Sequence, residues 1–60
     1  MPLIEGQHSP HAMWFGEYYD RGVCESDIRI AVTIDPIFRT CHIARVEHLQ
    51  LVGTTRYFLQ

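Results

Sequence analysis

Residues 28–34 read IRIAVTI, with Ile28, Ile30, Val32 and Ile34 alternating with Arg29, Ala31 and Thr33. Strict alternation is the pattern of a strand with one buried face. Asp35 and Pro36 end it, because proline has no N–H to give to a ladder. The pattern predicts a strand over 27–34 with Ile30 and Val32 in the core.

The chain around this stretch has 60 residues, so the expectation is a single small domain over 1–60. A domain of this size buries only about 60% of its unfolded surface and is marginally stable. The 47% hydrophobic content excludes a disordered chain. No apolar run reaches the ~20 residues of a membrane span. The N-terminus, MPLIEGQHSPH, lacks the basic-then-apolar order of a signal peptide, so a cytoplasmic location and no membrane partner are expected.

Pro2, Gly6 and Pro10 make 1–11 read as irregular. Residues 12–19, AMWFGEYY, read as an aromatic strand, and DRGVCESD carries turn residues at both ends. The segment 36–52, PIFRTCHIARVEHLQLV, supports two readings. As a helix it has Asp35 at the N-cap, Pro36 at the first helical position and Gly53 just past the end. As strands it has β-branched content and the possible hairpin LQLVGTTRYFL. Residues 55–60 return as a strand. The favoured fold is α+β, with a small antiparallel sheet of two to three strands (12–19, 27–34, 55–60) and one helix over 36–52. The alternative is a five-stranded all-β small barrel.

The stretch IRIAVTIDP, followed by a capped helix, resembles the start of a ribbon-helix-helix DNA-binding protein. The resemblance spans residues 28–53. It implies a dimeric regulator whose strand pairs with its twin and sends Arg29, Ala31 and Thr33 into the major groove. Nucleic acid is nevertheless not the expected partner. Five arginines and no lysine are scattered over a chain of net charge −2, which is a small footprint for phosphates.

Ligand-type side chains are His8, His11, Cys24, Cys41, His42 and His48. They make a metal-stabilised domain a further alternative, with a plausible H-x-x-H at His8 and His11, but there is no C-x-x-C and Cys41 and His42 are adjacent, so no metal site or cofactor is assigned. Two cysteines are too few for a disulfide framework. No nucleophile elbow or phosphate-binding loop is present, and catalysis is not expected.

The remaining feature is AMWFGEYYD. Read as a regular strand, Met13, Phe15, Glu17 and Tyr19 share one face, and Ala12, Trp14, Gly16 and Tyr18 the other. One helix covers one face of a small sheet, which leaves aromatic rings over. Acids cluster in the same half: residues 1–27 carry five acids against Arg21. The expected partner-binding residues are therefore Trp14, Phe15, Glu17, Tyr18, Tyr19 and Asp20. They suggest a non-catalytic protein-binding module, of the kind a phage or other mobile element uses to occlude a basic surface of a host protein. Uncovered sheet edges add the expectation of a homodimer.

Overall fold

The computed structural model describes residues 12–60. The expected irregularity of 1–11 lies outside the described residues, as do His8 and His11. Among the described residues the chain forms strand β1 (Met13–Tyr19), helix α1 (Glu25–Ile34), strand β2 (Ile43–Leu49) and strand β3 (Thr54–Leu59). The three strands form one open antiparallel sheet in the order β1-β3-β2. This is a small α+β fold. β1 and β2 both run antiparallel to β3, and hence parallel to each other, with β3 inserted between them. The unit β1-α1-β2 is thus a split βαβ.

The two terminal strands stand as the sequence predicts, and the two middle elements do not. Residues 27–34 are helix. Alternation over 28–34 is also the sum of two i,i+4 pairs, and on a helix these fall on opposite sides. Ile28 and Val32 face the sheet, 2% and 3% exposed, whereas Ile30 is 60% and Ile34 75% exposed. Ile30 is therefore a surface residue. The start of α1 is fixed at CESD. Cys24 takes the N-cap position, and its N–H donates to Asp27 Oδ2 at 3.0 Å, the returning half of a capping box. Glu25 and Asp27 also place negative charge at the positive end of the helix. The strand on which the ribbon-helix-helix resemblance rests is consequently not formed.

The helix over 36–52 is likewise replaced, by a turn, a strand and a second turn. Asp35 is in extended conformation, as a residue before proline tends to be, and ends α1. Its side chain still caps: Oδ1 accepts from the N–H of Ile37 at 2.8 Å and of Phe38 at 3.3 Å. What it caps is the short turn 36–40. In β2, Ile43 and Val46 both pack on the core although they stand three residues apart. The cause is a β-bulge. Ile43 lies opposite Leu59 and Arg45 opposite Phe58, so Ala44 is an extra residue. Gly53, expected past a helix end, closes the loop 50–53 instead. Its φ of +79° is the left-handed region, and its N–H and that of Val52 both donate to the Leu49 carbonyl, at 2.8 and 3.1 Å. The five-stranded barrel is excluded by the open three-stranded sheet.

The core is the layer between α1 and one face of the sheet. Ile28 and Val32 meet Tyr57 and Leu59 of β3, and Phe15, Tyr18, Val23, Phe38, Cys41, Ile43 and Val46 pack around them. Truncating Ile28 to Ala should cost about 2–5 kcal/mol, comparable to the whole stability of so small a domain. Ile30→Ala should shift the melting temperature little when both are measured by circular dichroism in dilute solution. Equal losses in the two variants would return 28–34 to a strand. Asp35→Ala should cost about 1 kcal/mol and Asp35→Asn much less, because asparagine keeps the capping oxygen.

Candidate interaction face

α1 covers one face of the sheet and leaves the other open. Register places three cross-strand rows on that open face. Trp14, Phe58 and Arg45 form the first, Glu17, Arg56 and Glu47 the second, and Tyr19, Thr54 and Leu49 the third. Neighbouring side chains in such rows are close enough to interact directly.

The first row is apolar and cationic. Trp14 meets Phe58 edge to face, with ring centroids 5.7 Å apart and planes at 73°. The guanidinium of Arg45 stacks on the Phe58 ring, 3.9 Å from its centroid, and its Nε lies 3.4 Å from Glu47. Trp14 is 55% exposed at the edge of the sheet.

The second row is an ion-pair line. Arg56 Nε donates to Glu17 Oε1 at 2.9 Å, and its Nη1 lies 3.9 Å from Glu47 Oε1. Thr54 Oγ1 donates to the other oxygen of Glu17 at 2.7 Å. These hydrogen bonds, the threonine's first and the arginine's second, hold the Glu17 carboxyl below its ordinary pKa of 4.5. Two arginines and two glutamates leave the face without net charge.

The third row ends in Tyr19, 71% exposed, and runs into the 50–53 loop, where Leu51 is fully exposed and Val52 is 64% exposed.

The residues expected at a partner surface therefore divide. Trp14, Glu17 and Tyr19 stand on the open face. Phe15 and Tyr18 point to the core side: Phe15 packs edge-on against Phe38 at 5.7 Å, and Tyr18 sits 6.1 Å from Tyr57. A second bulge makes this split, because Trp14 faces Phe58 and Gly16 faces Tyr57, leaving Phe15 as the extra residue. The Tyr18 ring lies across Gly16, where an added Cβ would come within 2.7 Å of it.

Asp20 is engaged internally. It accepts from the hydroxyl of Thr55, which is 2% exposed, and the N–H of Asp20 donates to the Gly53 carbonyl at 2.9 Å. Thr55 has one hydroxyl proton and gives it to Asp20. His48 Nδ1, 3.0 Å from the same oxygen, is therefore the donor of that contact. Sequence reasoning missed Phe58, Arg45, Arg56, Glu47 and Leu49, since only the strand register reveals them as neighbours of Trp14 and Tyr19.

Elsewhere, a cleft of about 350 Å³ between α1 and the start of β2 is lined by Arg29, Val32, Thr33, Cys41, His42 and Ile43. Its polar groups have local duties. Arg29 pairs with Glu25 at 2.6 Å, and the Thr33 hydroxyl donates to the Arg29 carbonyl at 2.8 Å. No hydrogen bond joins the Cys41 and His42 side chains. Cys24 and Cys41 are both free thiols. Among the described residues no group of three or more His, Cys, Asp or Glu side chains is placed to hold a metal ion. Among them, too, no helix is long and apolar enough to cross a membrane. No family model, curated protein or solved structure matches the chain.

The lowered Glu17 pKa has a definite pH consequence. A carboxyl with a depressed folded-state pKa contributes stability that is fully present above the unfolded value. That contribution is lost as pH falls through the lower folded value. In an NMR titration Glu17 should titrate below 4.5, its ordinary value, and Thr54→Val should move the midpoint up toward it. An unmoved midpoint would show that the threonine does not bind the carboxylate.

Proposed function

We propose that the chain is a small, non-catalytic protein-binding module that meets its partner through the open face of the sheet. The observation that carries the reading is the first row. An exposed Trp14, braced by Phe58 with Arg45 stacked behind it, has the composition of an interface anchor. The surrounding surface is rich in arginine and aromatic rings and lacks lysine, as contact surfaces tend to be.

The face spans two strand spacings, roughly 10 Å, and about 14 Å lie between its first and third rows. That width accommodates one α-helix or a similar ridge of a partner. Action by occlusion, in the manner of a phage or mobile-element inhibitor in the cytoplasm, suits the size of the chain and rests on no motif. Glu17 and Asp20 are held by Arg56, Thr54 and Thr55, so the face offers a basic partner less free charge than the sequence suggests. A partner with an apolar ridge and few net charges fits it better. Single-stranded nucleic acid, which also stacks on aromatic sheet faces, fits poorly because the two arginines here are balanced by two glutamates.

Affinity capture with the wild-type chain and Trp14→Ala, both shown to be folded, tests the reading. Losing an anchor costs 2 kcal/mol or more, about a 30-fold loss of affinity. A protein retained by the wild type should be lost by Trp14→Ala. Tyr18→Ala should lower the melting temperature, because its ring packs toward the core. If folded Trp14→Ala retains every partner, the open face is not the contact. If the captured material is nuclease-sensitive, the nucleic-acid reading replaces this one.

A further inference from the structure

α1 has a second apolar stripe, on the side away from the core. Ile30 and Ile34 are 60% and 75% exposed, and Ile37, in the turn that follows, is 77% exposed. Ile30 and Ile34 share one side of α1 at i,i+4 spacing, Asp27 stands on the same side one turn earlier, and Ile37 is exposed in the turn beyond. Exposed apolar clusters of this kind mark association surfaces.

We propose that this stripe is a homodimer interface in which α1 packs antiparallel against α1 of a second copy. Charge supports a second copy as the occupant. The first turn of α1 is acidic, with Glu25 and Asp27, and its last turn has no basic residue. Asp27 lies beside the stripe, and its bonds to the Cys24 N–H and thiol keep it ionised. Arg39 stands in the turn beyond the other end of α1, exposed and in no ion pair among the described residues. An antiparallel two-fold sets Asp27 of each copy beside the end of the partner that carries Arg39. It also opposes the two helix dipoles.

The sheet face lacks this self-match. Its centre is the single Arg56, and a two-fold stacking the centred face on itself sets Arg56 against Arg56. Of the two uncovered apolar surfaces, the helical one suits a second copy and the sheet face a different molecule. A seam of so few apolar side chains falls short of the ~800 Å² per partner of a standard interface, which makes the proposed dimer a weak one.

Sedimentation of the full chain from about 1 to about 500 µM spans the affinities of small interfaces. The weight-average mass of the wild type should rise from monomer toward dimer over this range. Ile34→Glu should weaken the dimer by at least about tenfold, since it puts a charge into an apolar seam. Its circular dichroism melt should match that of the wild type in dilute solution. Ile30→Gln should act in the same direction. Arg39→Glu should weaken the dimer at low salt and do so less at high salt. A wild type that stays monomeric throughout would overturn the proposal. So would a dimer that survives Ile34→Glu and dissolves in Trp14→Ala, which would place self-association on the sheet. Binding of the stripe to lipid vesicles without any dimer would also end it. The partner-capture result reads Trp14 and not Ile34, so either reading can fail alone.

Discussion

Two β-bulges at nearly the same level of the sheet, one in each edge strand, decide what faces what. Alternation alone would put Trp14 and Tyr18 on one face and Phe15 and Glu17 on the other. The extra residue in β1 instead sends Phe15 and Tyr18 to the core and leaves Trp14 and Glu17 outside. In β2 the extra Ala44 lets Ile43 and Val46 both reach the core while Arg45 swings out onto Phe58. Remove either bulge and the layer under α1 loses an apolar side chain: Phe15 would leave it if Tyr18 stayed, and Ile43 if Val46 stayed. The apolar interior and the mixed exterior are thus consequences of the same two irregularities.

β3 supplies what both edges share. Tyr57 and Leu59 form the floor of the core, and Arg56 and Phe58 form the middle of the open face. Thr54 and Thr55 are both buried, and their hydroxyls are satisfied by Glu17 and Asp20. Buried hydroxyls without partners would cost about 1–3 kcal/mol each. These acids therefore tie β1 to β3, a structural duty that limits how far their charge can also serve a partner. Buried among acidic neighbours, Tyr57 has its pKa raised by desolvation first and then by Glu25, Asp20, Cys24 and Asp27, so the phenol stays protonated.

The strands 13–19 and 54–59 were legible because aromatic and β-branched residues run between clear turn residues. The helix was hidden because IRIAVTI satisfies period two and two opposed helical stripes equally well. A cap by Cys24 is also outside the usual Ser, Thr, Asp and Asn set. The reverse error over 36–52 came from its ends: Asp35 and Gly53 do mark turns, but what lies between them is a turn, a strand and a loop. The Asp35 side chain does accept from the N–H groups that follow it, but it ends α1 and heads a short turn in place of the expected helix. Of the expected contact residues, Trp14, Glu17 and Tyr19 face outward. Phe15 and Tyr18 do not, because parity across a bulge cannot be counted from the sequence of one strand.

Only Ile28, Val32, Tyr57 and Leu59 are fully buried apolar residues among those described. A core this small leaves apolar side chains on both outer surfaces, and the two surfaces differ in a way that matters. The helical stripe is chemically uniform, three isoleucines with restricted side-chain rotamers, so little side-chain entropy is lost when it is covered. The sheet face interposes a line of paired charges between the Trp14–Phe58 pair and the Tyr19 and Leu49 side chains. Desolvating such a line adds little affinity, but a partner that fails to match it leaves ions unpaired and is penalised. The stripe can therefore contribute burial without much discrimination, and the sheet face can discriminate without needing much area.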